Sequence, residues 1–284
     1  LAAVLALGCA CGYLLGGRYP MEWAPVDAGE HSGVEESKAR LLALGVPDYV
    51  LNDLTAEDLA ACDGAILVVV DVDDYPVNSG RRVSHSYWIG GERHTNIHTV
   101  YDVKELRITG VGVELPGERW MLIQHFLWTT PPGFCGTESI QLWPAYRAGM
   151  EGWRSGGALT GRVLYDEGGQ TYAAPYCFLG EQTFAYDSLF WGKQIRDDLF
   201  AAFSLPRDGE NCRGYVAYPI ERVRDGYIVD GWFNYTHQQS WMQYPVMTAM
   251  ENQMTNGWNW EGVFYEVSTA LQFYQNEEGV RLLG

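Results

Sequence analysis

Positive charge is scarce in this chain. Against 36 aspartates and glutamates stand 19 lysines and arginines, a formal charge of −17 over 284 residues. Such a field repels phosphate backbones, which excludes nucleic acid as a partner. Short catalytic and metal-binding spacings are missing too. Beyond the N-terminal segment, Cys62, Cys135, Cys177 and Cys212 form no C-x-x-C pair of a zinc or redox site. They read as isolated buried thiols or, in an exported chain, as two disulfides of undetermined connectivity. The chain contains no H-E-x-x-H and no phosphate-cradling G-x-x-x-x-G-K-S/T. Gly152-Trp153-Arg154-Ser155-Gly156 misses the spacing of a nucleophile elbow, because its second glycine directly follows the serine.

Two clusters invite a metal and fail on geometry. His94, His98 and Asp102 fall in an alternating, strand-like segment. Residues four apart on a strand are separated by roughly 13 Å, whereas zinc ligands converge within about 2.3 Å of one ion. Asp71, Asp73 and Asp74 resemble a calcium loop, but Tyr75 and Pro76 stand where a further ligand and the turn glycine belong. They read as a solvated strand end. No metal and no cofactor is expected. His125, between Ile123 and Leu127, reads as a hydrogen-bonded core histidine. Glycosidase chemistry needs only two carboxylates facing each other, and Glu138, Asp187, Asp230 and Glu261 are available for it, though nothing singles them out.

What is abundant points to sheet. The chain is 47% hydrophobic, with 33 glycines, 18 tyrosines and 11 tryptophans, a balance that favours strands joined by tight turns. The organising stretch is a hairpin from Leu106 to Thr129. Its second arm is apolar on both faces, with Trp120, Leu122, Phe126 and Trp128 on one and Met121, Ile123 and Leu127 on the other. A strand wet on one side cannot look like this, so it is expected at the centre of a sheet covered on both faces. In the first arm the apolar set shifts from Leu106 and Ile108 to Val111, Val113 and Leu115, which predicts a bulge at Gly110.

In chain order, Leu1 to Gly17 is apolar and uncharged. As a helix it would cover roughly 25 Å of a ~30 Å hydrocarbon core. It is expected to be a membrane anchor; a cleaved or lipidated signal and a core helix are the alternatives. Residues 18–33 read as a tether. Helices are expected from Val34 to Leu44, stopped by Gly45, then after Pro47, and from Thr55 to about Cys62, where Thr55 and Asp58 form a capping box. They are expected to cover one edge of the sheet. Ala65 to Val72 reads as a buried strand, Asn78 to Gly91 as a polar loop and Thr95 to Val103 as a half-buried strand. Thr130 to Gly157 reads as a long irregular stretch with a strand only at Ser139 to Trp143. Leu159 to Tyr165 and Gln170 to Tyr176 form a hairpin around Gly168-Gly169. Strands at Leu199–Leu205, Gly214–Ile220 and Tyr227–Tyr235 read as a meander. The end switches to helical periods, Val246 to Met254 and Val263 to Tyr274.

The expected fold is therefore α+β and β-rich: a mostly antiparallel sandwich or curved sheet with flanking N- and C-terminal helices, one domain over residues 34–284, outside the cytoplasm. The one positive sign of a ligand is aromatic. Trp143, Tyr146 and Trp153 lie in the irregular stretch, and Trp258 and Trp260 lie between the two last helices. Flat rings there would stack on a glycan or anchor a protein. Noncatalytic binding or sensing at the cell envelope is the expectation, with a secreted glycan-directed hydrolase or a structural envelope component as alternatives.

Overall fold

The structure, a computed structural model, describes residues 20–75, 84–89, 91–96, 105–144, 153–188, 192–222, 228–238, 265–276 and 279–282. In chain order the elements are strand β1 (Ala24–Pro25), helices α1 (Glu35–Leu44), α2 (Asp48–Asp53) and α3 (Ala56–Ala61), then strands β2 (Leu67–Tyr75), β3 (Ser84–Ile89), β4 (Glu92–Asn96), β5 (Leu106–Leu115), β6 (Arg119–Trp128), β7 (Thr137–Pro144) and β8 (Trp153–Ser155). They continue with β9 (Thr160–Glu167), β10 (Gln170–Ala174), β11 (Cys177–Ser188), β12 (Gly192–Ser204), β13 (Glu210–Arg222), β14 (Ile228–His237), β15 (Tyr265–Asn276) and β16 (Gly279–Leu282). Sheet A runs β1-β10-β9-β13-β6-β5-β2-β3-β4, with β8 also paired to β13; sheet B runs β11-β12-β7-β14-β15-β16. Every described ladder is antiparallel. The fold is the β-rich antiparallel sandwich that the composition implies.

The central hairpin is β5 and β6, and it is covered on both sides by different things. Trp120, Leu122, Phe126 and Trp128 face sheet B, packed with Ile140, Leu142, Phe233, Tyr235, Leu271 and Phe273. Met121 and Ile123 face the helices, packed with Leu41, Val50, Leu51, Leu54 and Leu59. The helices thus lie on the face of sheet A and not along its edge, because the apolar odd-numbered positions of β5 and β6 need cover that a second sheet cannot supply there. Gly110 makes no bulge: the β5–β6 register runs unbroken from Leu106↔Trp128 to Leu115↔Arg119. Gly110 and Gly112 continue the face of Leu106 and Ile108, and a side chain there would press on Leu271 or Phe273 at 3.2 Å. The side chains of sheet B fill the space the glycines leave, so the apparent change of phase is a notch in one face.

The helix signals are realised locally. Gly45 ends α1 with φ of 106°, a left-handed value that costs glycine no Cβ clash. Thr55 caps α3, its hydroxyl accepting from the Asp58 N–H at 3.1 Å.

Elsewhere tertiary pairing overrides the local pattern. Tyr265–Asn276 is a strand between β14 and β16, in place of the expected helix from Val263 to Tyr274. Leu271 and Phe273 alternate into the sandwich core, and β-branched and aromatic residues suit that pleat better than a helix. Val246 to Met254, the other expected C-terminal helix, lies outside the described residues. The expected meander is three strands that change sheets: β12 and β14 belong to sheet B and β13 to sheet A. Ser84–Ile89, read as loop, is strand β3 on β2. Residues 20–33, read as a tether, are fastened to the edge of sheet A. There β1 pairs with β10, Trp23 stands edge-on to Tyr165 with centroids 4.8 Å apart, and Glu30 receives Arg162. Asp71, Asp73 and Asp74 are buried along β2, not a solvated end: Asp73 accepts from the Tyr75 hydroxyl at 3.0 Å, and Arg107 grips Asp74 at 2.7 and 3.2 Å.

Candidate functional site

Strand alternation gives sheet B an inner face toward sheet A and an outer face away from it. The inner face is identified by the core residues Ile140, Leu142, Leu199, Phe233 and Tyr235. The intervening positions lie outside, and register lines them up across three strands. Phe200, Gln141 and Asn234 form one row; Ala202, Ser139 and Thr236 form the next; position 143 lies opposite Trp232. These positions carry amides, hydroxyls and indoles, with no lysine or arginine among them. Burial is graded across the face. Phe200 and Ala202 on β12 are fully buried, Gln141 on β7 is 8% exposed, and Trp232 and Asn234 on β14 are half-buried. Ser139 and Thr236 are buried as well, so among the described positions of these rows only Trp232 and Asn234 reach the surface in part.

Amides and hydroxyls both donate and accept, and an indole offers a flat apolar surface with one N–H donor. At the half-buried pair Trp232 and Asn234, such groups are compatible with contact to an uncharged ligand or a peptide backbone. They supply no nucleophile–base pair.

Several buried ionisable groups among the described residues lie elsewhere and are committed to partners within the chain. Between α2 and sheet A, the Asp53 carboxylate receives His125 Nε2 on one oxygen and Arg213 Nε on the other, each at 2.8 Å. A carboxylate can only accept, so His125 donates through Nε2. Burial pushes Asp53 up, but the His125 bond and the Arg213 charge outweigh it and hold the group below its ordinary value. Arg162 is bidentate on Glu30 at 2.5 and 2.8 Å and donates through Nε to the Asp53 carbonyl at 2.9 Å. Asp58 accepts from Tyr215 and from the Thr160 hydroxyl, the latter at 2.6 Å. Burial and then the Asp58 charge push the Tyr215 hydroxyl up, so it stays a donor. Each bond ties a helix or the N-terminal segment to sheet A.

A second buried pair lies inside the sandwich. His237 Nδ1 donates to Glu138, 2.9 and 3.0 Å from its two oxygens, beneath Trp128, whose Nε1 donates to Tyr235 at 3.0 Å. Glu138 faces inward and position 230 outward, on opposite faces of sheet B. These two acids cannot flank one substrate. Ser155 of the glycine–serine motif pairs with Ile220 in a flat ladder and makes no elbow. Cys62 and Cys212 are buried on opposite sides of sheet A, so they cannot bridge each other; burial pushes both thiols up to about 12.

Of the residues expected to bind ligand, Trp143 and Trp153 fall on strands and not in an irregular stretch. Trp143 is on β7 in sheet B and Trp153 on β8 in sheet A, opposite Arg222, so the two do not form one row. Tyr146, Trp258 and Trp260 lie outside the described residues, as do His98, Asp102 and Glu261. Trp232, Asn234 and Gln141 were missed by sequence reasoning. Their signal was present in Trp232-Phe233-Asn234, but only the register shows which side of the strand is outward. Asn234-Tyr235-Thr236 also reads as a glycosylation acceptor, yet it sits mid-strand between β7 and β15 with Tyr235 fully buried. Among the described residues no helix is long and apolar enough to cross a membrane, and Leu1–Gly17 lies outside them.

No family model matches the chain, and no curated protein does. Among solved structures, a collagen adhesin from S. aureus is 7% identical over 76% of this chain and 82% of its own, at a TM-score of 0.28. A pore forming protein is 8% identical over 78% of this chain and 97% of its own, at a TM-score of 0.24. At these scores neither likeness carries an argument about what this chain does.

Proposed function

We propose that this chain is a noncatalytic recognition domain that works outside the cytoplasm, held at a membrane by Leu1–Gly17. Its ligand, a glycan or a protein, is received on the outer face of sheet B. The observation that carries the reading is the row structure of that face: position 143 opposite Trp232, beside Gln141 opposite Asn234. Of these, Trp232 and Asn234 are half-buried, so part of an indole and of an amide reaches the surface of a rigid sheet, and rigidity lowers the entropic cost of binding. Commitment of Asp53, Asp58, Asp74 and Glu138 to internal partners supports binding over hydrolysis. The uncharged N-terminal run supports placement at a membrane.

The test is an unbiased one. Full-length chain is titrated with envelope glycans and used in a pull-down, each with Trp232→Ala as control. Capture of a glycan or protein that the variant loses supports the proposal, and two empty experiments with folded protein reject it. For the address, protease added to intact cells should digest the domain; complete protection would remove the extracytoplasmic part of the reading.

A further inference from the structure

We propose that Cys135 and Cys212 are a disulfide pair, closed when the folded chain meets an oxidising disulfide, and that the bond bolts sheet B to sheet A. The inference goes beyond the recognition reading and does not depend on any ligand. It needs only oxidising surroundings, which a domain outside the cytoplasm has.

Position comes first. Thr137, at the start of β7, is opposite Ser204, at the end of β12, so the residues before β7 run beside those that follow β12. The turn after β12 is tight, since a side chain at Gly209 would press on Pro206 and Tyr165. Cys212 stands just beyond that turn, its Sγ 3.7 Å from the Gly209 carbonyl oxygen. Cys135 stands just before β7, its Sγ 3.9 Å from the Pro132 carbonyl oxygen. Both are thiols in the structure, and both pack into the core cluster between the sheets, Cys212 buried within it and Cys135 half-buried against it.

The electrostatics agree with that placement. Burial first, and then Cys135, push the Cys212 thiol up to about 12, and Cys135 acts on it more strongly than Glu138, Arg213 or Asp166 do. Charge effects fall with distance, so the other thiol is the ionisable group most closely coupled to Cys212. The remaining cysteines after the N-terminal segment are placed elsewhere. Cys62 lies on the helix side of sheet A, and position 177, opposite Ala202, falls on the outer side of sheet B by register. Of these four, Cys135 and Cys212 are the two assigned to the interior.

The closing step is thiol–disulfide exchange with a glutathione-like or protein disulfide. Half-buried Cys135 attacks first as its thiolate, forming a mixed disulfide and releasing one thiol. The Cys212 thiolate then displaces the second half. One sulfur–sulfur bond forms and one breaks, two electrons pass to the oxidising disulfide, and the two cysteine protons end on the two thiols released. The product closes a long loop, the arrangement in which a cross-link most restricts the unfolded chain.

The experiment incubates the folded full chain in glutathione disulfide, alkylates the remaining thiols and digests the product with trypsin. Mass spectrometry should find the peptide of residues 120–147, which carries Cys135, joined to that of residues 208–213, which carries Cys212. Dithiothreitol should separate them. The oxidised chain should melt about 5–15 °C above the reduced one. Cys135→Ser should abolish both the link and the difference, whereas Cys62→Ala should keep both, with circular dichroism checking that each variant is folded. Alkylation of both Cys135 and Cys212 in the oxidised, folded chain overturns the inference, as does a link from either one to Cys62 or Cys177. A link whose reduction leaves the melting temperature unchanged overturns the bolt between the sheets. Should Cys135→Ser fail to fold, the peptide link in the parent chain decides alone.

Discussion

On the outer face of sheet A, helices meet charged side chains that are tied in pairs: Asp53 with His125 and Arg213, Arg162 with Glu30, Arg107 with Asp74. On the outer face of sheet B, the central positions carry amides, hydroxyls and indoles; Ser139, Gln141 and Thr236 are buried, and Trp232 and Asn234 are half-buried. Both are outer faces of the same sandwich, so strand chemistry alone does not explain the contrast. A buried charge is tolerated when a partner from the same chain is always present, because an unpaired one costs several kcal/mol. A buried neutral group needs only a hydrogen-bond partner, and leaving it unpaired costs less than leaving a charge unpaired. Charge pairs hold the helix side of sheet A, whereas the centre of the outer side of sheet B is built from neutral groups.

The contrast can be broken from the sheet A side first. Asp53→Ala leaves His125 and Arg213 without their shared acceptor, and a stability loss of about 3–5 kcal/mol is expected in urea unfolding. A loss under 1 kcal/mol would mean the charged knot is not what fastens the helices. The same residue sets an acid limit. Because its folded-state value lies below the ordinary 3.8, its contribution is complete above that value and is lost as pH falls through the depressed one. Asp53→Asn should therefore flatten the fall in stability below about pH 4 and leave the slope near neutrality unchanged; an unaltered acid limb would contradict the assignment.

The interior between the faces comes next. Gly112→Val places methyl groups against Phe273, Leu271 and Trp120, which a single Cβ would already approach at 3.2–3.4 Å. Overpacking of about 1–3 kcal/mol is expected, read as a lowered thermal midpoint. A neutral outcome would restore the bulge at Gly110 that the sequence suggests. The smallest effect is on sheet B: Asn234→Thr should change stability by no more than about 1 kcal/mol while weakening capture of the ligand. A large loss of stability there would erase the distinction between the two faces.

Features governed by near neighbours were legible in the sequence. Gly45 after Leu44, Thr55 before Asp58, and Gly168-Gly169 between two alternating runs each settle a backbone conformation within a few residues, and each stands in the structure. The two-sided apolarity of Trp120 to Trp128 correctly required cover on both faces. Its two covers, helices on one side and sheet B on the other, could not be told apart, since Met121 and Trp120 are equally content against either. The segment around Leu271 satisfied a helical period and a strand period at once, and pairing with β14 and β16 decided it. Of the expected ligand-binding aromatics, position 143 falls on the candidate face by register, whereas Trp232 was legible only as part of the strand Tyr227–Tyr235, with no face assigned.

Composition, caps, turns and alternation, which depend on bonds and contacts within a few residues, were set by the sequence by itself, and they specified a β-rich domain with helices near its start and an acidic field. Sheet membership was decided only in the tertiary structure, because a strand's hydrogen-bonding edge accepts any partner of suitable register and burial across the sandwich selects among them. Turns of similar length leave β12, β13 and β14 in alternate sheets. That choice turns Trp232 and Asn234 outward, and with them the face on which the proposed function rests.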